Sequence, residues 1–319
     1  MQNYNNIQKL YHNFFFKFPS LNKAFYEIEK ILYFKKTNPK KNNKHVFISG
    51  LPRAGTTILL NIIYESNLFA SLKYYDVPSV LSPNYNKFFK NNKTISIPRA
   101  HNDNIYYNSF SPEAFDEIFF NVFSKDQEQE NFDELVDLIC FRDSKERYLS
   151  KNNNMYKRFT KIMKIFPNSI FLIPIRLPLF HCQSLYNQHI NFNNLQKKDP
   201  FIRYYMNFLS HFEFGLDHRY WHKPNIFENN FDINYWLEQW FMYYEFLYLR
   251  YKSNSNIIFL PYEKLSDKNY QTILGNRLDF NLSQHCNKFK ISTKKIISDR
   301  FDPELLQMAN DLYETITEK

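Results

Sequence analysis

Between positions 10 and 32 the apolar residues Leu10, Phe14, Phe18, Leu21, Phe25, Ile28 and Leu32 recur every three or four positions, the spacing that lines up one face of a helix. The pattern predicts amphipathic helix over residues 1 to about 36, most simply a helical pair packing on the domain through the aromatic stretch Tyr11 to Phe34, with an interfacial anchor as the alternative. The run Lys35 to Lys44, with Pro39 inside it, then reads as a solvated linker. Val46, Phe47 and Ile48 form a short apolar strand closed by Gly50 and Pro52, and Ile58, Leu59, Leu60, Ile62 and Ile63 resume helical spacing from near Thr56.

Further strands are predicted at Leu68 to Tyr75, Thr94 to Pro98, Ile170 to Ile175 and Ile257 to Leu260. A helix is expected from Ser111, where Ser-Pro-Glu-Ala offers a cap, a proline at the first helical position and an acid in the first turn. Others end at Phe166, begin at Pro178 and carry Ser184, run from about Asn234 to Tyr251, and begin at Pro303. The acidic stretch Asp126 to Asp137 reads as an exposed helix face or loop, and residues 191 to 230 as irregular or mixed helical. Strands alternating with helices imply a parallel sheet covered on both faces, so the predicted class is α/β, in three layers with helical insertions.

At 319 residues the chain is expected to form one domain, with residues 1–43 as a helical extension and basic linker and residues 44–319 as the core. A net charge of +9 suits a polyanionic ligand. Asn, Lys, Ile, Phe and Tyr are used heavily throughout, a bias that weakens the charge as evidence, and no nucleic acid is expected as a partner. Cys140, Cys182 and Cys286 are odd in number and widely spaced, so neither a disulfide framework nor a zinc site is indicated and a reducing compartment fits. No apolar run reaches the roughly 18 residues of a membrane span, and a cytoplasmic location is expected.

The stretch His45 to Asn61, HVFISGLPRAGTTILLN, combines strand, glycine-bracketed turn and helix start. In that geometry the unpaired amides of the first helical turn and the helix dipole favour an anion. Gly50, four residues, Gly55, then Thr56 and Thr57 follow the nucleotide-binding P-loop except that Thr56 replaces its lysine, which leaves Arg53 as the nearest fixed cation. The fold implied is P-loop NTPase-like. LPRAGTT resembles the 5′-phosphosulfate loop of the sulfotransferases, Pro-Lys/Arg-x-Gly-Thr-Thr, and the arginine variant is similar to bacterial members. The resemblance implies donor contacts from Arg53, Ala54, Gly55, Thr56 and Thr57.

In IFLIPIRLPLFHCQS an arginine ends a strand and a serine follows eight residues later on the next helix. The resemblance assigns Arg176 and Ser184 to the 3′-phosphate of 3′-phosphoadenylyl sulfate (PAPS), the co-substrate, with adenosine 3′,5′-bisphosphate (PAP) as product and no metal. IIFLPYEKLSDK resembles the late strand and Tyr-Glu-x-Leu turn of the same domains. The late Arg-Lys-Gly segment that cytosolic sulfotransferases carry over the 3′-phosphate has no match here, and Lys294 and Lys295 are the candidates for its place.

The implied reaction is sulfuryl transfer to a hydroxyl, or an amine, of a small molecule or glycan, with Arg53 neutralising the leaving oxygen. The acceptor needs a base: Arg-Ala-His resembles the segment that presents the catalytic histidine in cytosolic sulfotransferases, which implies His101 as the first candidate, and a carboxylate at this distance after the loop serves as base in other sulfotransferases, which implies Asp76 as the second. His211 and His218 match no zinc spacing, and Trp221, Trp236 and Trp240 read as core and cleft lining. The competing readings are a P-loop kinase or NTPase, and a non-catalytic protein that binds anions, glycans or nucleic acid through the same loop.

Overall fold

A computed structural model describes residues 14–15, 17–88, 96–98, 105–123, 131–282, 289 and 298–318. In chain order the elements are α1 (Pro19–Tyr33), β1 (Val46–Ile48), α2 (Thr56–Glu65), β2 (Phe69–Ala70), α3 (Pro83–Asn86), β3 (Ile97–Pro98), β4 (Tyr106–Tyr107) and α4 (Glu117–Val122). There follow α5 (Phe132–Asp143), β5 (Arg147–Lys151), α6 (Phe159–Ile165), β6 (Ile170–Ile175), α7 (Pro178–Lys198), α8 (Pro200–Phe208), α9 (Ile233–Tyr251), β7 (Ile257–Pro261), α10 (Lys268–Leu278) and α11 (Pro303–Thr317).

The predicted central sheet is present: five strands in the order β2-β5-β1-β6-β7, with β2 parallel to β5 and β6 parallel to β7. All six residues of β6 are buried, as a strand covered on both faces requires.

The chain divides into two compact units. The first holds residues 1–47, 60–169 and 200–211. Its core is aromatic, with Phe47, Phe119, Phe132, Tyr148 and Phe166 all buried. The second holds residues 48–59, 170–199 and 212–319. There α9 buries Trp236, Trp240, Tyr243 and Tyr244, and α7 buries Cys182 and Leu185.

Several expectations need correction. No helix starts at Ser111. Instead Tyr74 N–H donates to Ser111 C=O at 3.2 Å, Glu113 N–H donates to Leu72 C=O at 3.1 Å, and Lys73 bridges Pro112, so this stretch is drawn into extended pairing and α4 begins at Glu117. The same pairing cuts the predicted strand at 68–75 to Phe69–Ala70, after which Tyr74–Asp76 forms a 3₁₀ turn. Ile97–Pro98 is a strand, but it pairs antiparallel with Tyr106–Tyr107 outside the parallel sheet. The strand at Arg147–Lys151 was not predicted.

The acidic stretch is not simply exposed. Asp133 and Asp137 are buried on α5, where Asp133 pairs with Lys41 at 2.7 Å and Asp137 accepts from the Lys40 amide at 2.8 Å. Those bonds also pin Lys40 and Lys41 of the expected linker, while Lys35 and Lys36 are exposed.

Candidate functional site

β1 ends because its neighbour runs out of donors. Ser49 N–H donates to Leu172 C=O at 2.9 Å, and in a parallel ladder Ser49 C=O would next take the N–H of residue 174. That residue is Pro174, which has none, so the chain is released at Gly50 into the loop. A Cβ on Gly50 would sit 3.0 Å from Pro174 O, and Tyr244 O–H donates to that same oxygen at 2.8 Å.

The loop closes with Ala54 N–H donating to Leu51 C=O at 3.3 Å, and it carries two residues in the left-handed region, Arg53 at φ 73° and Gly55 at φ 91°. For a non-glycine residue that conformation costs about 1–2 kcal/mol. Leu59 N–H to Gly55 C=O, 3.0 Å, opens the helical ladder of α2, leaving the amides of Gly55, Thr56, Thr57 and Ile58 as the donors of a helix start. Thr56 is buried at this end, Ala54 is buried in the loop, and Thr57 is half-buried.

Arg53 and Ser184, far apart in sequence, meet: Arg53 Nε–H donates to Ser184 Oγ at 3.0 Å. Arg176 joins them, with Nη1 at 3.5 Å from the Arg53 carbonyl oxygen. Burial lowers the Arg176 guanidinium from its ordinary value, and the neighbouring Tyr262 and Glu263 oppose that shift. The donor set is thus two guanidinium groups, a hydroxyl and a row of amides, which is what phosphate oxygens accept from.

Tyr262 links the two halves. Its ring lies 5.6 Å from the Arg176 guanidinium carbon, and a Cβ on Gly55 would stand 2.5 Å from its Cδ2. Glu263 beside it accepts from Leu177 N–H at 3.1 Å, just ahead of α7, and from Tyr313 O–H of α11 at 2.7 Å.

His181 on α7 holds the loop from behind. Its Nε2 lies 2.8 Å from Pro52 O, which only accepts, so Nε2 carries the proton and Nδ1 accepts from Trp240 Nε1–H at 3.1 Å. Burial pushes the ring down to about 3, which keeps it neutral. Sequence reasoning missed this residue. Its signal is position: His181 and Ser184 are three apart on one helix, hence on the same face.

Asp76 belongs to the first unit and is fully buried. Both its oxygens lie 2.7 Å from Arg142 Nη1, and Oδ2 accepts from Lys73 N–H at 2.7 Å. Burial holds its carboxyl above the ordinary value, a shift that Arg142 opposes without cancelling. Arg142 also bonds Ser71 C=O and Asp143, and Lys73 reaches Asp143 at 2.8 Å. Burial raises the Asp143 carboxyl, but these two cations outweigh it and hold the group below the usual carboxylate range.

His101, Lys294 and Lys295 lie outside the described residues. His218 is a packing element: Nδ1 donates to Glu213 C=O at 2.8 Å and Nε2 accepts from Tyr235 O–H at 2.6 Å. Among the described residues no three metal-ligating side chains converge. Trp221, Trp236 and Trp240 are buried.

Residues 45–236 match the model of the family described as Sulfotransferase family. Among solved structures, the sulfotransferase STF1 of Mycobacterium tuberculosis superposes with a TM-score of 0.55 at 11% identity, over 95% of this chain and 84% of that one. Sulfotransferase STF9 of Mycobacterium avium gives 0.49 at 10% identity, over 91% and 80%. At such identities the first likeness shows the fold, which in these proteins is P-loop NTPase-like. No curated protein sequence matches the chain significantly.

Proposed function

Because the chain belongs to the sulfotransferase family, we propose that it moves a sulfuryl group from PAPS to a hydroxyl or amine of a small-molecule or glycan acceptor and releases PAP. The observation that carries this reading is the contact of Arg53 with Ser184, which unites the loop with the arginine-serine pair of the next strand-to-helix turn.

In this account the amides of Gly55 to Ile58 and the hydroxyls of Thr56 and Thr57 receive the 5′-phosphosulfate, while Arg176 and Ser184 receive the 3′-phosphate. Arg53 serves the leaving oxygen. The acceptor oxygen attacks sulfur in line, its O–H proton passes to a base, and the bond between sulfur and the bridging oxygen breaks, leaving its electron pair on PAP. The protein's task is alignment and charge neutralisation, and no metal is needed.

We assign the base role to His101. The second candidate, Asp76, has its lone pairs committed to Arg142 and the Lys73 amide, an engagement that supports a positioning role in the first unit. A cytoplasmic location is part of the proposal, and no described helix is long and apolar enough to cross a membrane.

The test is transfer of radiolabelled sulfate from PAPS into a lysate, with identification of the labelled product. Label incorporation that His101→Ala abolishes supports the reading. Magnesium-dependent ATP turnover with no sulfate transfer would replace it with a nucleotidase or kinase, and transfer that survives His101→Ala but not Asp76→Asn would reverse the choice of base.

A further inference from the structure

Helix α1 inverts the usual arrangement of an amphipathic helix. The face turned towards the first unit carries Asn22, Tyr26 and Glu29, all buried. Polar bonds hold it: Glu29 Oε1 accepts from Asn84 N–H at 2.7 Å and from Asn84 Nδ2 at 2.8 Å, and Oε2 accepts from Tyr85 N–H at 3.1 Å. Lys30 pairs with Glu134 at 2.7 Å, and the Tyr26 ring stands edge-on to Phe123 at 5.2 Å.

The outward face is apolar. Ile31 is 77% exposed, and Ile28 and Leu32 are each 50% exposed. Phe14 and Phe18, ahead of the helix, are exposed as well, with ring centroids 5.4 Å apart. Lysines flank the apolar side chains: Lys17 lies between Phe14 and Phe18 ahead of α1, Lys35 and Lys36 follow the helix, and all three are exposed. Within α1 the exposed carboxylate is Glu27.

Apolar side chains flanked by cations match one surface well, a bilayer leaflet that carries anionic headgroups. There the phenylalanine, isoleucine and leucine side chains reach about 5–10 Å into the acyl boundary while the lysines stay among the phosphates. A second copy fits less well, because an antiparallel helix pair would set the two lysine ends of one copy against those of the other.

We propose that α1 docks this protein peripherally on an anionic membrane surface, with the Phe14 to Leu32 stripe inserted and Lys17, Lys35 and Lys36 on the headgroups. This does not depend on sulfuryl transfer.

The full chain is sedimented with vesicles of phosphatidylcholine alone and of phosphatidylcholine mixed with phosphatidylserine. We expect binding to the mixed vesicles only, weakened by high salt. Each lysine neutralised should cost about fivefold in partitioning, so Lys35→Gln with Lys36→Gln should lose roughly 25-fold. Ile31→Asp should abolish binding, with circular dichroism unchanged because the side chain is exposed. Equal binding to both vesicle types would overturn the proposal, as would no binding to either. Self-association in solution that Ile31→Asp relieves, without vesicle binding, would overturn it in favour of a second copy.

Discussion

Gly55 has no room for a methyl group. With its φ at 91° and the Tyr262 ring 2.5 Å from where a Cβ would lie, Gly55→Ala must displace the ring or the loop. Calorimetry with PAP should show at least about a tenfold loss of affinity, equivalent to roughly 1.4 kcal/mol. Unchanged affinity would mean that PAP binds elsewhere.

His181 allows a sharper test. Alanine there leaves Pro52 C=O and the Trp240 indole N–H without their partner in a buried site, at a cost of about 1–3 kcal/mol in chemical denaturation. Glutamine, which can both donate and accept, should recover part of that. The ring is held neutral down to about pH 3, whereas an unfolded histidine titrates near 6.5. Between those values the unfolded chain binds more protons, so stability falls as pH drops from 6.5 towards 3, by up to about 1.4 kcal/mol per pH unit. His181→Gln should flatten the acid limb by that amount, and an unchanged slope would show that the ring is protonated in the folded protein.

Legibility in the sequence differs among these residues for physical reasons. Gly50, Arg53 and Gly55 stand out because a strand-turn-helix junction demands their backbone freedom and charge within a few positions. His181 and Pro174 act through a helix face and a neighbouring strand: the spacing of His181 from Ser184 shows a shared face, but not that this face meets the Pro52 carbonyl. Tyr262 was visible only as part of a turn, and its ring contact with Arg176 follows from the sheet bringing β6 beside β7.

At the scale of elements, β6 was readable because burial on both faces leaves an unbroken apolar run, and α9 because its buried face is dense in aromatic residues at helical spacing. β5 escaped notice since its sequence, RYLSK, mixes charges with only two apolar residues, and its burial is conferred by neighbours. The helix signal at Ser111 was overridden by backbone pairing with residues 72–75.

Helix α5 offers a test of a buried acid that looked exposed in the sequence. Burial pushes the Asp137 carboxyl up to about 7. The folded chain therefore binds more protons than the unfolded one between about 3.8 and 7, and this group's contribution to stability, full below 3.8, is lost as pH rises through 7. Asp137→Asn keeps an acceptor for the Lys40 amide without the buried charge. It should raise the melting temperature at pH 8 by a few degrees, about 2–4 °C per kcal/mol, and change little at pH 4. A lower melting temperature at pH 8 would mean that the charge itself, through Lys41, stabilises this end of α5.

For the whole molecule, the positive charge and the aromatic content said little, because both are spread along the chain rather than gathered at a site. What the proposed function adds to a P-loop fold is a second phosphate position beside the first, assigned to Arg176 and Ser184, which contact Arg53. On that proposal a nucleotide with a 3′-phosphate would use both positions, and ADP one. The decisive measurement is thermal unfolding with PAP and with ADP, repeated with Arg176→Ala. PAP at a hundredfold excess over its dissociation constant should stabilise the wild type by about 2.7 kcal/mol, ADP at the same concentration far less, and the variant should lose the difference. Equal stabilisation by PAP and ADP, unaffected by Arg176→Ala, would contradict the account.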